Sequence, residues 1–253
     1  MTHENAWRTC VLSLTAVLVL ASAGPAAAQS PGCTFEFTSL PYTINSSGTY
    51  CLKNTMFTNL ASGAAITVGG GYQVVVDLRG YALINVPSTT STAVGVQGIG
   101  KSNVTVRNGR IHGFRIGVNL DTTPDVESGG NVVEDVQVDL ARFAGIMIDG
   151  FGHQVRNCTV TRYGAEGSGL AIGIQVSGEG NLIEGNLVAK SLSQNGRGIF
   201  AYGTNHEVVG NRVLNPLNYG LFLANSPTTK YRDNLVTGAF TGYDGGTDAG
   251  NNQ

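Results

Sequence analysis

Val155-Arg156-Asn157-Cys158-Thr159-Val160 and Ile183-Glu184-Gly185-Asn186-Leu187-Val188 share one form: apolar, variable, Asn/Asp/Gly, two variable positions, apolar. The same hexamer begins at Val106 (VRNGRI), Val133 (VEDVQV), Val208 (VVGNRV) and Tyr231 (YRDNLV), so successive copies lie 27, 22, 28, 25 and 23 residues apart. Between copies stands a second element, a glycine followed by apolar, variable, apolar: Gly117-Val118-Asn119-Leu120, Gly145-Ile146-Met147-Ile148, Gly173-Ile174-Gln175-Val176, Gly198-Ile199-Phe200-Ala201 and Gly220-Leu221-Phe222-Leu223. Less regular copies upstream are Ile66-Thr67-Val68 with Val74-Val75-Val76, and Val94-Gly95-Val96.

Each element alternates with period two over a few positions and is rich in Val and Ile, which predicts very short strands rather than helical turns. A leucine-rich repeat has a similar period but needs a dense leucine frame, which is absent. Repeats of 22 to 28 residues with two or three short strands match a parallel β-helix, here of about seven coils. Equivalent residues of neighbouring coils then stand roughly 4.8 Å apart. The second hexamer position reads Arg107, Glu134, Arg156, Glu184, Val209, Arg232, an outward ladder of mostly alternating charge. Exposed pairs of this kind add under ~1 kcal/mol each. The fourth position ends in Asn186, Asn211 and Asn234, whose amides can satisfy backbone groups at a bend and tolerate left-handed conformations.

The amino terminus carries Arg8, the apolar run Cys10 to Leu20, and small residues ending Ala26-Ala27-Ala28 before Gln29. This predicts a secretory signal peptide over residues 1–28, and hence a secreted or periplasmic protein. The run is shorter than the roughly 20 residues of a spanning helix, so no membrane association is expected. Charged residues make up only 13% of the chain, the formal net charge is −2, and no basic cluster occurs, which argues against nucleic acid as a partner. Thirty-six glycines, about twice ordinary usage, suit a fold with many regular turns. Beyond the leader remain Cys33, Cys51 and Cys158. Cys33 and Cys51 bracket a short segment and are expected to be bridged in an oxidising compartment; Cys158 is expected to be a buried, inert thiol.

Over residues 64–237 these repeats resemble the parallel β-helix repeat family of the pectate-lyase-like superfamily, which implies an all-β, right-handed, single-stranded parallel β-helix. The segment Leu40-Pro41-Tyr42-Thr43-Ile44-Asn45-Ser46-Ser47-Gly48-Thr49-Tyr50-Cys51-Leu52 resembles the opening segment of secreted bacterial members, and residues 29–63 are expected to cap the first coil. Residues 238–253, very polar after Tyr243, are expected to fray. Members of the superfamily are often polysaccharide lyases, hydrolases or epimerases, so the resemblance implies a carbohydrate polymer as partner, engaged by a lyase-like or hydrolytic enzyme. A non-catalytic structural or surface-interaction solenoid is the competing class. The Asn-Thr-Asp, Asp-Asp and Gly-His-Gly set of polygalacturonases is absent, as is the Tyr-Gly-x-Asp-Pro-His run of alginate epimerases; only Gly152-His153 and Tyr163-Gly164 remain as fragments.

Two turns are long, Asp121 to Asn131 and Thr161 to Gly173, and long turns on a rigid scaffold are where binding groups are mounted. Successive coils place His112 and Arg115, then Asp139 and Arg142, then Arg162, Tyr163 and Glu166 near one turn. A lyase needs such a mixture: a base to remove the proton alpha to a carboxylate, and cations for the enolate-like charge. The candidate catalytic residues are therefore His112, Arg115, Asp139, Arg142 and Arg162, with solvated, mutually paired turn residues as the alternative. Asp121 and Asp149 end equivalent strands and offer two hard oxygen ligands for Ca²⁺, against roughly six to eight in a dedicated site; no other cofactor is implied. Phe200 and Phe222 share an outward column beside Tyr202, and with Tyr163 are the candidate substrate-binding residues. That stripe either stacks on sugar rings or is covered by the tail around Phe240 and Tyr243. His112, His153 and His206 fall on different coils without metal-ligand spacing. Nothing in the sequence sets an oligomeric state.

Overall fold

The structure, a computed structural model, describes residues 32–253 apart from 87–89, 124–126, 167–168 and 225. The expected leader, residues 1–28, lies outside the described residues. Among the described residues all regular structure is β-strand, and every lateral pairing is parallel. The chain winds into three ladders. The first contains Tyr42–Ile44, Ala64–Val68, Val94–Ile99, Ile116–Asp121, Ala144–Phe151, Leu170–Glu179 and Asn195–Thr204, and closes on the later halves of Arg212–Ala224 and Leu235–Gly245. Each hexamer supplies the other two: its first half pairs in the second ladder, as at Val155↔Ile183, and its second half in the third, as at Val160↔Val188.

The solenoid has about eight turns, one more than the repeats alone indicate. The extra turn lies in the segment expected only to cap: Tyr42–Ile44, Gly48–Leu52 and Met56–Thr58 already pair with the next coil in all three ladders. Cys33 and Cys51 are joined there by a disulfide. The carboxy-terminal residues do not fray. Leu235–Gly245 pairs along Arg212–Ala224, Thr247–Asp248 pairs with Lys230–Arg232, and Asn252 accepts the Asn234 backbone N–H, 3.0 Å. Polarity misled because these side chains replace, for the last coil, the partners that a following coil would supply.

Two columns explain why the repeat has its form. The third hexamer position is left-handed in every copy, with φ of 56° at Asn108, 54° at Asp135, 53° at Asn157, 64° at Gly185 and Gly210, and 57° at Asp233. Asn, Asp and Gly are the residues that tolerate this region. The fourth position carries the amide ladder: the Asn186 backbone N–H donates to Asn211 Oδ1 at 2.9 Å, and the Asn211 backbone N–H to Asn234 Oδ1 at 2.9 Å. Cys158 occupies the same column one coil earlier; it is buried, and burial pushes its thiol up to about 12. The glycine that heads each first-ladder strand serves a different end from a turn glycine. At Gly145 an added Cβ would lie 2.4 Å from Val160 Cγ1 and 2.6 Å from the Gly173 carbonyl oxygen. The glycine column therefore lets the first ladder close against the valines of the third.

The charge ladder is partial. Arg156 pairs with Glu134 at 2.6 Å, while Arg107 turns to the buried Asp77, whose Oδ2 accepts from Arg107 Nε at 3.0 Å. The interior is a continuous stack of Val, Ile and Leu; Val118, Ile146, Ile174, Ile199 and Leu221 follow one another with no exposed surface. Because this interior is filled, any ligand must lie on an outer face.

Candidate functional site

The five residues singled out as a catalytic cluster separate into two closed sets. Asp139 ends a third-ladder strand beside His112 on one neighbour and Thr161 on the other. It accepts from Arg162 Nε at 2.8 Å and from Thr161 Oγ1 at 2.8 Å, and lies 3.1 Å from His112 Nδ1. Burial by itself would raise the Asp139 carboxyl, but the hydrogen bonds from Arg162 and Thr161, the Arg162 charge and the contact with His112 outweigh it and hold the group at about 2. Asp139 and Arg162 line an open hollow of about 310 Å³ with Arg110, Gln137 and Thr159. In the second set, Arg115 donates to Glu166 at 3.0 Å and stacks on the Phe143 ring, 4.8 Å from its centroid. Arg142 reaches the same Glu166 oxygen at 3.5 Å and donates to the Ser91 carbonyl. Through Arg142, these two bonds link the turn that follows Thr161 to the turn of Ser91 three coils earlier.

Tyr163 cannot meet a ligand from solvent. Its side chain is fully buried in the main core, and burial raises its hydroxyl above the ordinary range. The alternation that sets outward and inward positions along a strand does not carry through the corner between Arg162 and Gly164, where the chain takes φ of 51° and 85°.

The outer face of the first ladder is different. Asn119, Met147, Gln175, Phe200 and Phe222 follow one another in register on successive coils, flanked by the parallel series Asp149, Ser177, Tyr202. Together with Asp121 and Ile148, the first three and the flanking series line an open groove of about 290 Å³. Asp121 and Asp149 follow the paired Leu120 and Ile148 on neighbouring strands and line the same groove. Burial raises the Asp121 carboxyl, the Thr122 N–H opposes this, and the neighbouring Asp149 raises it further. Thr122 Oγ1 donates to Asp149 at 2.5 Å. Asn119 is 9% exposed, and its Oδ1 has no hydrogen-bond partner among the described residues. Two carboxyls and one amide oxygen fall well short of a Ca²⁺ shell, and among the described residues no three His, Cys, Asp or Glu side chains come together.

At the far end of the face Phe200 and Phe222 stack at 5.5 Å, and Tyr219 lies 4.7 Å from Phe222. These rings are half-buried, and the tail continues their columns with Thr241 beside Tyr219 and Asp244 beside Phe222. Tyr243 stacks instead on Tyr231, 5.3 Å away, and donates to the Asn234 carbonyl, while Phe240 is 89% exposed. Sequence reasoning passed over Arg197, whose guanidinium carbon lies 4.8 Å from the Phe200 centroid, 4.4 Å from Phe222 and 6.0 Å from Tyr219. The signal was there: the position before each first-ladder glycine runs Val94, Ile116, Ala144, Ile172, which with the in-register Ala64 form a small apolar cluster, and then breaks to Arg197 and Tyr219.

The family described as a right-handed β-helix region matches residues 94–253. The chain belongs to this right-handed β-helix family. No curated protein matches the sequence. Among solved structures the β-helix is similar to the catalytic domain of a GH87 alpha-1,3-glucanase in complex with tetrasaccharides, with 12% identity, a TM-score of 0.30, and coverage of 76% of this chain and 54% of that one. A second GH87 alpha-1,3-glucanase structure, a catalytic domain in complex with nigerose, aligns at 11% identity and a TM-score of 0.28 over 77% of this chain and 54% of the other. The chain thus spans about half the length of these chains.

Proposed function

We propose that this β-helix is an exported protein that engages a carbohydrate polymer along the outer face of its first ladder. One observation carries the reading: in-register Asn119, Met147 and Gln175, edged by Asp149, Ser177 and Tyr202, line an open groove that runs across the coils, and Phe200 and Phe222 continue the same column beyond it. Rings of this kind cover the C–H faces of sugars, while amides, hydroxyls and carboxyls bond their hydroxyls. The rungs repeat at about 4.8 Å, so the face presents such groups over a distance suited to an extended chain rather than a single small molecule. The Cys33–Cys51 disulfide supports an oxidising compartment.

The chemistry of the face supports binding over cleavage. Elimination needs a free base and a free cation, whereas His112 and Arg162 both close on Asp139, and Arg115 and Arg142 on Glu166. This pairing supports a structural role for the five residues. The test is affinity electrophoresis of the disulfide-bonded protein through neutral and uronic-acid polysaccharides, with and without Ca²⁺, while absorbance of unsaturated products is followed. Retardation by at least one polymer, reduced in Tyr202→Ala and unaccompanied by absorbance, is the expected result. Retardation by none would remove the carbohydrate reading, and rising absorbance would restore elimination.

A further inference from the structure

We infer that Arg197 is an anion-recognition subsite, which takes an oxyanion substituent of the bound polymer, a uronate carboxylate or a sulfate ester. The inference rests on the carbohydrate reading of the same face and names the chemistry of the ligand. Arg197 interrupts an otherwise apolar outward column, at the rung where Phe200 and Tyr202 also project from Asn195–Thr204. Among the described residues no carboxylate pairs with it, whereas seven of the other nine described arginines find one within 4.0 Å: Arg79, Arg107, Arg115, Arg142, Arg156, Arg162 and Arg232. Its Nε is buried and has no hydrogen-bond partner among the described residues.

Packing explains how an unpaired cation is kept there. Phe200, Phe222 and Tyr219 surround the guanidinium and hold its plane by cation–π contact, which leaves the N–H edge to meet a ligand. Burial lowers the affinity of Arg197 for its proton, yet arginine stays charged at any physiological pH. A guanidinium whose orientation is already fixed loses little freedom on binding, and its donors match the spacing of carboxylate and sulfate oxygens. The same rings offer faces for the sugar that carries the anion. The face then has two chemically distinct ends: the carboxyls of Asp121 and Asp149, and a cation two coils on from Asp149. An anionic sugar is attracted to the second and repelled by a carboxylate at the first, so the polymer is also given a direction along the solenoid.

The experiment measures binding constants of the disulfide-bonded protein at low and moderate salt for polygalacturonate, its fully methyl-esterified form, a sulfated glucan and the unsulfated glucan. Either or both charged polymers should bind roughly tenfold or more tightly than the neutral counterpart, since a charge-assisted, bidentate contact separates them. Preference for polygalacturonate alone assigns a carboxylate, and preference for the sulfated glucan alone a sulfate. Arg197→Met, which keeps an unbranched chain between the rings, should abolish that preference, and Arg197→Lys should retain part of it. Equal binding of charged and neutral polymers, or a preference that survives in Arg197→Met, would overturn the subsite and leave the carbohydrate reading standing. Failure of all four polymers to bind would overturn both.

Discussion

His153 receives the backbone N–H of Asn131 at its Nδ1, 3.0 Å, in a column where Asn181 in turn receives the N–H of His153 at 2.7 Å and His206 that of Asn181 at 3.3 Å. An Nδ1 that accepts carries no proton, so each ring is the Nε2–H tautomer, and that N–H meets the carbonyl of Asp149 or Tyr202. Burial lowers both imidazoles below their ordinary value of 6.5, against smaller opposing contributions from those carbonyls and from Asp149 and Glu179. The unfolded chain therefore takes up protons first. Stability should be fully present above pH 6.5 and decline as the pH falls below it, down to the folded-state values. Asp139 adds loss only lower, between its ordinary 3.8 and about 2, and the raised Asp121 acts in the opposite sense, since its contribution is lost as the pH rises. Urea midpoints at pH 8, 7, 6 and 5 would measure the decline. His153→Asn with His206→Asn, which repeats the Asn already found in this column, should flatten it; an unchanged slope would refute the assignment.

Glycines of two kinds should respond differently to alanine. Gly145 has no room, with Val160 and the Gly173 carbonyl within 2.6 Å of an added Cβ. Gly145→Ala must push coils apart and should cost upwards of about 3 kcal/mol. Gly152 has φ of 61° and nothing within 4 Å, so Gly152→Ala meets only the left-handed backbone, about 1–2 kcal/mol. Denaturant midpoints of the two variants decide it. Equal losses would mean that the glycine column is a set of turns and not a close approach.

Asn211 is a second structural test. Its amide donates to the Ile183 carbonyl at 2.9 Å, and its Oδ1 accepts the Asn186 N–H at 2.9 Å, all without exposed surface. Asn211→Ala leaves those groups unpaired in the interior and should destabilise by about 2–4 kcal/mol. Asn211→Cys should recover part of this, since Cys158 occupies the column naturally. Amide hydrogen exchange at Asn186 should quicken in the alanine variant; if it does not, the ladder is not what protects that N–H.

The coil and its repeat were legible because they rest on parity and spacing, which stacking imposes on every turn: Val106, Val133, Val155, Ile183 and Val208 must all point inward. The site was less legible because it is made by differences between coils. Arg197 is unusual only against Ile172 and Ala144 in its own column, and the alignment has to be read across that column to see it. Tyr163 and the pairing of Arg115 with Glu166 depend on corners and long turns, where period two no longer reports direction. The tail failed for a third reason: Asn252 and Tyr243 pack by finishing hydrogen bonds at the last coil, a role composition does not reveal.

Arg162 and Arg142 separate a structural from a chemical role for the charged turn. Arg162 has 46% of its side-chain surface exposed, and its bond to Asp139 is screened by water, so Arg162→Ala should cost under about 1 kcal/mol. Arg142 has 11% exposed and ties the Ser91 carbonyl to Glu166, so Arg142→Ala leaves a carbonyl and a carboxylate short of a partner and should cost about 2–3 kcal/mol. Neither side chain lines the groove of the first ladder. Both variants, compared below their melting temperatures, should therefore keep the polysaccharide retardation of the parent protein. Loss of retardation in a folded Arg162→Ala variant would move the binding site to the hollow around Asp139 and away from Tyr202.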